Sequence, residues 1–198
     1  MKIFYKIVKY IIYLEMKYIW NLKIIHPEHL ENPESCIIAP NHISLLDPPF
    51  IGSLLRNEIY ILAKKELFEI PITGYTIKRM YAIPIRRGQI DRNATMLSQK
   101  ALQEGYPLMM FPEGTRKSSS AKPGIGKMAY ETRSNIIPVF IQYPASLLKA
   151  LFRKDSLKIV IGEKIIIDEF EEFENRKDAY RFIAKYTLER ILELENEC

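Results

Sequence analysis

The sequence predicts an α/β fold with a mixed, largely parallel central sheet flanked by helices, preceded by an N-terminal amphipathic helix. Three observations lead to this prediction. Short apolar runs alternate with longer stretches of helical periodicity, which is typical of βαβ units. The apolar runs are almost continuous, as expected for parallel strands that are buried on both faces. The first 25 residues, in contrast, carry five lysines and a single glutamate among aliphatic and aromatic residues.

The length and composition indicate a single folded domain with a modest excess of positive charge. A chain of 198 residues can bury a sizeable core, and a hydrophobic fraction of 47% excludes a disordered chain. The formal net charge of +5 suits an anionic partner. Cys36 and Cys198 show neither a disulfide framework nor a metal-ligand spacing, which favours a reducing cytosol.

Residues 1–25 are predicted to form an amphipathic, membrane-associating helix ahead of a domain that spans residues 26–198. Lysines interrupt the apolar residues too often for a transmembrane span, and the segment does not resemble a secretory signal. On a helix, the five lysines fall within an arc of about 120°, which is typical of a helix in a membrane interface. The alternative is a helix packed on its own domain. We expect a peripheral or monotopic protein at the cytoplasmic face of the cell membrane.

The rest of the chain alternates predicted strands and helices. Strands are predicted at residues 36–39, 59–63, 81–85, 108–111, 136–142 and 157–167. Helices are predicted at residues 48–56, 73–80, 92–104, 127–132 and 176–195. Pro84 and Pro138 lie inside strand-like runs, which indicates edges, bulges or strand ends there. Because ligand sites of open α/β sheets form where the strands end, the turns after the first and fourth of these strands are the candidate sites.

The turn PNHISLLD, after the first of these strands, holds a histidine and an aspartate. His42 and Asp47 would point about 140° apart on a regular helix, so a contact between them requires a turn. A carboxylate that holds an imidazole fixes its tautomer and makes it a better base. Asp47 is equally well placed to cap the helix that begins at Pro48. Ser44 is a weak candidate nucleophile, because no glycine-flanked elbow surrounds it.

The stretch FPEGTR, after another strand, joins a carboxylate, a glycine, a hydroxyl and a guanidinium. These residues are Glu113, Gly114, Thr115 and Arg116. Arginine is suited to bidentate binding of phosphate. Two further cations, Lys64 and Arg87, follow the strands at 59–63 and 81–85. Cations at neighbouring strand ends would form one anion site, although each of them alone is also explained as a solvated surface charge.

NHISLLD and FPEGTR together resemble two motifs of the glycerolipid acyltransferases, Asn-His-x4-Asp and Phe-Pro-Glu-Gly-Thr-Arg. AIPIRRG resembles the middle motif of this family, whose final arginine is matched by Arg87, and IIPVFI resembles the fourth, apolar motif. Their order and spacing over residues 37–142 are also similar, in particular to the bacterial 1-acyl-sn-glycerol-3-phosphate acyltransferase branch. The pair of main motifs makes the resemblance highly specific.

The resemblance implies transfer of a fatty acyl chain from an acyl thioester to the sn-2 hydroxyl of 1-acyl-glycerol-3-phosphate, which makes phosphatidic acid for phospholipid synthesis. In this reaction His42 would remove the hydroxyl proton and Asp47 would orient His42. The acceptor phosphate would be held by Lys64, Arg87 and Arg116. Glu113, Gly114 and Thr115 match the same substrate-binding motif, and Glu113 would order the loop or the acceptor glycerol.

The partners implied by the resemblance are a membrane lipid acceptor, an acyl-CoA or acyl-carrier protein donor, and a membrane surface. We expect no metal, no cofactor beyond this co-substrate and no nucleic acid. The alternatives are the same chemistry on another lyso-lipid acceptor, hydrolysis of the thioester, and a non-catalytic module that binds anionic lipid headgroups. Backbone N–H groups near the His42 turn are the candidate stabilisers of the oxyanion.

Overall fold

The structure is a computed structural model, and it describes residues 2–31, 33–86, 88, 91–115, 120–170 and 173–198. The strands are β1 (Lys23–Ile25), β2 (Ile37–Pro40), β3 (Tyr60–Lys64), β4 (Ala82–Ile85), β5 (Leu108–Met109), β6 (Ile136–Gln142) and β7 (Lys158–Ile161). The α-helices are α1 (Lys2–Tyr18), α2 (Asp47–Leu54), α3 (Pro71–Arg79), α4 (Arg92–Gln103), α5 (Pro123–Thr132), α6 (Leu147–Leu151) and α7 (Arg176–Glu193).

The seven strands form one sheet in the order β1-β7-β6-β2-β5-β3-β4. Strands β6, β2, β5, β3 and β4 are parallel to one another. Strand β7 is antiparallel to β6, and β1 is parallel to β7. The predicted mixed, largely parallel sheet is therefore confirmed. The five parallel strands all end at one side of the sheet, which we call the carboxyl edge.

Helices cover both faces of the sheet because neighbouring strand residues point to opposite sides. Ile37 packs in a buried cluster with α4, α5 and α7, whereas Ile38 packs in a second cluster with α1 and α2. Both side chains are fully buried. The nearly continuous apolar strands of the sequence are explained by this double coverage.

Most predicted elements are present with small shifts at their ends, and strand β6 has the predicted bounds. Strand β7 ends at Ile161, well before the predicted residue 167, and β5 has only two residues before the chain leaves the sheet. Strand β1 and helix α6 were not predicted. They have three and five residues, and such short segments carry little periodic signal.

Helix α1 is shorter than the predicted helix of residues 1–25, because it ends at Tyr18 and residues 23–25 join the sheet as β1. Its inner face packs on the domain, where Tyr5 and Met16 are buried. Its outer face is apolar and exposed. This outer face consists of Ile3, Ile7, Tyr10, Ile11 and Tyr18.

Lys9 does not belong to a solvent-facing lysine stripe, so the prediction of a single lysine arc on the helix was wrong at this position. Its side chain is buried, and its ammonium group donates hydrogen bonds to the carbonyl oxygens of Leu55, Arg56 and Asn57 after the end of α2. Burial lowers the pKa of Lys9 to about 8. Lys23 lies on β1 and not on the helix. Helix α1 is thus anchored to its own domain.

Within the described ranges, every helix is too short or too polar to cross a bilayer.

Candidate active site

The candidate site residues lie at the carboxyl edge, just after the ends of three adjacent strands. Strand β2 lies between β6 and β5 in the sheet, and His42 follows its end. Glu113 comes after β5, and Tyr143 comes directly after β6. The three side chains meet because parallel neighbouring strands end side by side, about 4.8 Å apart.

His42 and Asp47 are in contact through the turn that the sequence required. His42 Nδ1 lies 2.9 Å from Asp47 Oδ2, and the same oxygen accepts hydrogen bonds from the backbone N–H groups of Ile43 at 2.8 Å and Ser44 at 2.7 Å. Asp47 is the first residue of α2. Its carboxylate faces back into the preceding turn, so it organises the turn around His42 and does not act as the simple helix cap that was the alternative.

These contacts determine the tautomer of His42. Asp47 Oδ2 accepts from two backbone N–H groups, so the proton in its contact with His42 must come from Nδ1. The lone pair is then on Nε2, which is the nitrogen available to a substrate. The ring is stacked on Phe111 with 3.9 Å between centroids, and its side chain is only 5% exposed. The imidazole is thus held in one orientation, largely shielded from solvent, as a candidate base.

Tyr143 completes the hydrogen bonding of Asp47 and was not among the residues proposed from the sequence. Its hydroxyl donates to Asp47 Oδ1 at 2.8 Å, and its ring packs against Trp20 and Phe50. Burial and the Asp47 charge raise the pKa of Tyr143, so the hydroxyl stays protonated as a donor. The available signal was its position, directly after the apolar strand of the fourth motif at the carboxyl edge.

Glu113 supports the same turn from the β5 side. Its Oε2 accepts a hydrogen bond from the backbone N–H of His42 at 3.1 Å. Burial raises the pKa of Glu113 to about 7, the nearby Asp47 charge adds to this, and the His42 N–H opposes it. The protonated form is therefore favoured more than in a solvent-exposed glutamate. The carboxyl group holds the backbone of the base, which agrees with the expected role in ordering the loop.

Asn41 fixes the end of β2 against β6. Its side-chain nitrogen donates to the carbonyl oxygen of Ile141 at 3.1 Å, and its side-chain oxygen accepts from the N–H of the same residue at 2.7 Å. The side-chain amide of Asn41 thus pairs with the backbone of Ile141 in the way that a neighbouring strand would, and it continues the hydrogen bonding between β2 and β6. The asparagine of the NHISLLD motif thus sets the register between His42 and the strand that carries Tyr143.

The expected anion-binding residues are only partly described. Lys64 is the last residue of β3, half-exposed, with its Nζ 3.2 Å from Glu66 Oε1. Gly114 and Thr115 are exposed beside Glu113. Arg87 and Arg116 lie outside the described residues. Among the described residues, no group of three or more His, Cys, Asp or Glu side chains is arranged to hold a metal ion.

The backbone N–H groups of residues 42–44 already have partners, so these three are not free to bind an oxyanion as the sequence suggested for groups near the His42 turn. The N–H of His42 is bonded to Glu113, and those of Ile43 and Ser44 are bonded to Asp47. These three donors instead hold the two carboxylates in place. The turn is therefore preorganised by its own side chains.

Comparisons with known proteins agree with this geometry. The Acyltransferase family model matches residues 21–142, which include His42, Asp47, Glu113 and the end of β6. A 1-acyl-sn-glycerol-3-phosphate acyltransferase of Bacillus subtilis is 30% identical over 179 residues, 89% of each chain. One from Borreliella burgdorferi is 29% identical over 84% of this chain and 69% of its own length.

A solved structure shares the fold. The crystal structure of the 1-acyl-sn-glycerophosphate acyltransferase PlsC from Thermotoga maritima superposes with a TM-score of 0.68 at 20% identity, over 96% of this chain and 79% of that one. The extent of the family match, the similarity to the Bacillus relative over 89% of both chains and the His42–Asp47 contact at the carboxyl edge lead to one conclusion: this chain is an enzyme of the acyltransferase family.

Proposed function

We propose that the chain transfers a fatty acyl group from an acyl thioester, acyl-CoA or acyl-carrier protein, to the sn-2 hydroxyl of 1-acyl-glycerol-3-phosphate. The product is phosphatidic acid. The observation that carries the proposal is the His42–Asp47 contact at 2.9 Å, which leaves Nε2 of His42 as a base. The choice of acceptor is supported by the names of the relatives from Bacillus subtilis and Borreliella burgdorferi.

The chemistry needs one base and no covalent enzyme intermediate. The acceptor hydroxyl loses its proton to Nε2 of His42 as its oxygen attacks the thioester carbonyl carbon. The new C–O bond forms, the C–S bond breaks, and the proton passes from His42 to the departing thiolate. Asp47 stabilises the imidazolium while it exists. All atoms balance without a metal or a further cofactor, which is why we propose none.

The acceptor phosphate is proposed to lie further along the carboxyl edge. Strand β3, which carries Lys64, is separated from β2 by β5 alone, so the two strand ends are about 10 Å apart at ordinary strand spacing. A long cationic side chain at that distance suits the phosphate of an acceptor whose hydroxyl is at His42. Arg87 and Arg116 join this site by their match to the family motifs.

A cavity near this edge supports a proposal about the acyl chain. A cavity of ≈ 530 Å³ lies on the sheet face that α4, α5 and α7 cover. Leu62, Ile85 and Met110 form an apolar part of its lining, and charged side chains such as Lys127 and Glu131 form another part. This volume falls within the range of small-molecule sites. We propose that it receives part of a lipid tail.

The outer face of α1 is proposed to lie on the membrane that contains the acceptor. Ile3 and Tyr10 are 77% and 63% exposed, and Lys6 and Lys17 are exposed on the same helix. Exposed apolar residues flanked by cations are typical of interfacial helices. The proposed location is therefore the cytoplasmic face of the cell membrane, as a peripheral or monotopic protein.

The proposed function is tested by an acyl-transfer assay with lysophosphatidic acid and a series of acyl-CoA and acyl-carrier protein donors. His42→Ala should lower kcat at least a hundredfold, the typical contribution of a general base. The control is His26→Ala, because His26 is exposed and follows β1, which runs opposite to β2.

Three results would contradict the proposal. Near-normal turnover by the His42→Ala variant would exclude the base. Thioester cleavage at the same rate without acceptor would indicate a hydrolase. Retained binding of anionic lipid with no turnover by the wild type, whatever the donor, would indicate the non-catalytic module.

A further inference from the structure

Helix α6 and the residue after it expose an apolar surface that the fold leaves uncovered. Its members, the α6 patch, are Leu147, Leu148, Leu151 and Phe152. Leu148 is 67% exposed and Phe152 is 69% exposed, whereas Ala150 is fully buried and fixes the inner side of the helix. Four large apolar side chains within six residues form a contiguous patch, which marks an interaction site more often than a solvated surface.

Cations surround the α6 patch. Lys149, Arg153 and Lys154 are exposed in the same segment. The acid that follows, Asp155, accepts hydrogen bonds from the backbone N–H groups of Ala145 and Ser156, so its carboxylate is directed at the chain. An apolar centre with a basic border complements an anionic lipid surface, whose headgroups meet the cations while its hydrocarbon meets the leucines.

The α6 patch is joined to the end of α1. Arg153 Nη1 donates to the carbonyl oxygen of Lys17 at 3.0 Å and to Asn21 Oδ1 at 2.6 Å. Asn21 returns a hydrogen bond to the carbonyl oxygen of Asp155 at 2.8 Å. Tyr18, 56% exposed at the end of the outer face of α1, is thus next to the segment that leaves α6. The two apolar surfaces are held together by this hydrogen-bonded junction.

The α6 patch is also close to the base along the chain and in the sheet. Tyr143, which binds Asp47, follows β6 and leads directly into the segment that forms α6. The catalytic turn itself exposes Ile43 and Leu45, at 53% and 64%. A bilayer that rests on α6 would therefore lie near the exposed residues of the His42 turn.

We propose that the α6 patch is a second membrane-binding element, which enters an anionic bilayer together with α1 and holds the carboxyl edge against it. The inference rests on the proposed function, since it names the surface from which the lipid acceptor reaches His42. Two separate contacts, one at α1 and one at α6, determine the orientation of the molecule on the bilayer, which a single helix leaves free to roll about its axis.

The test is flotation with vesicles of phosphatidylglycerol and phosphatidylcholine. The double variant Leu148→Ser, Phe152→Ser should show a vesicle partition coefficient at least tenfold lower than that of the wild type. The matched control is Met96→Ser, Leu192→Ser. These side chains are 58% and 51% exposed on α4 and α7, which cover the face of the sheet opposite α1. The control should therefore float like the wild type. Melting temperatures establish that each variant is folded.

A second measurement reports insertion directly. Phe152→Trp adds a tryptophan to the α6 patch, and lipids brominated on their acyl chains should quench its fluorescence. The fluorescence of Trp20 in the wild type gives the background. The fluorescence added by Leu192→Trp should not be quenched. Unquenched emission from the tryptophan introduced by Phe152→Trp, or equal flotation of the α6 variant and the wild type, overturns the proposal. So does a wild-type dimer that becomes monomeric in the α6 variant with vesicle binding intact, since the α6 patch would then bind a second copy.

These readouts are independent of turnover. Vesicle binding does not require turnover and can be measured even in the His42→Ala protein. An absence of acyl transfer by the wild type would therefore refute the proposed function and leave the α6 result standing. Full acyl transfer combined with unchanged flotation of the α6 variant would refute only the α6 proposal.

Discussion

At the scale of single residues, Asp47 accepts four hydrogen bonds while its side chain is fully buried. Removing a carboxylate from water costs several kcal/mol unless its oxygens are satisfied. Three of the donors come from residues 42–44 and the fourth is the hydroxyl of Tyr143. The carboxylate that would stabilise an imidazolium in the proposed mechanism is thereby fixed in place before substrate binds.

We expect Tyr143→Phe to lower kcat roughly ten- to hundredfold, because a hydrogen bond to a charged group contributes about 1.5–3 kcal/mol. The acceptor KM should change little, since the hydroxyl contacts Asp47 and the ring contacts with Trp20 and Phe50 remain. Steady-state kinetics with both substrates varied give the two values separately.

The control for that change is Tyr5→Phe. Tyr5 is also buried, and its hydroxyl accepts a hydrogen bond from the N–H of Ile59 far along the chain. The Tyr5 variant should lower the melting temperature and keep kcat. If Tyr143→Phe behaves in the same way, with a lower melting temperature and unchanged kcat, Tyr143 is a packing residue only.

Glu113 predicts a pH-dependent change in stability. Its pKa in the folded state is raised to about 7. Between the ordinary pKa of glutamate and about pH 7, the folded state therefore keeps a proton that the unfolded state has lost, and stability falls as the pH rises. Glu113→Gln cannot lose this proton. The free energy of unfolding of the variant minus that of the wild type should therefore be about 2 kcal/mol larger at pH 8 than at pH 5.

Urea unfolding at the two pH values measures this difference. The control is Glu174→Gln, which removes an exposed carboxyl group and should shift the free energy of unfolding equally at both. A stability difference between Glu113→Gln and the wild type that is the same at pH 5 and pH 8, or that favours the variant more at pH 5, would contradict the raised pKa.

At the scale of elements, the packing of α5 on α7 depends on a glycine. A Cβ on Gly126 would lie 2.0 Å from the carbonyl oxygen of Tyr180, so the two backbones touch there. Backbone atoms cannot move aside as a flexible side chain can, and α7 would have to shift. This contact sets the distance between α5 and α7 on the sheet face opposite α1. It therefore also sets the shape of the cavity that these helices line.

We expect Gly126→Ala to lower the free energy of unfolding by about 1–3 kcal/mol through overpacking. Gly124, in the same helix, has open space where a Cβ would be, so Gly124→Ala should be neutral or should stabilise by up to ~1 kcal/mol. Urea denaturation of the two variants decides the point. Equal effects would show that helix propensity, and not the contact with α7, dominates.

At the scale of the whole molecule, we propose that the positive charge and the exposed apolar surface act together in membrane binding. The net charge is +5, and the outer face of α1 and the α6 patch are uncovered. The two contributions respond differently to salt. Screening weakens the attraction between exposed charges that are more than about 10 Å apart at 0.1 M ionic strength, or about 3 Å apart at 1 M. The free energy of burying apolar side chains is retained at high salt.

Raising the salt concentration to about 1 M should therefore weaken binding to anionic vesicles without abolishing it. The fraction that stays bound should resemble the fraction bound to vesicles of phosphatidylcholine alone. Flotation over a salt series measures both. Complete release by salt would show that the exposed apolar residues do not enter the bilayer.

The local patterns in this sequence were sufficient for the fold class and for most elements. Continuous apolar strands that alternate with stretches of helical periodicity predicted a largely parallel sheet with helices on both faces, and β6 matches its predicted bounds. The contact between His42 and Asp47 could also be expected, because both lie in one turn of eight residues. These features depend on neighbours in the chain, which the sequence displays directly.

Only the tertiary structure decided which distant residues meet. Tyr143 binds Asp47 across 96 positions, Glu113 binds the backbone of His42 across 71, and Lys9 leaves the expected lysine stripe to bind carbonyl groups after α2. Strand order places these partners side by side, and burial then makes each polar group find a partner. Periodicity shows which face of an element is apolar, but the order in which strands pair is set by the packing of the whole chain, so the neighbours of a buried charge follow from the fold alone.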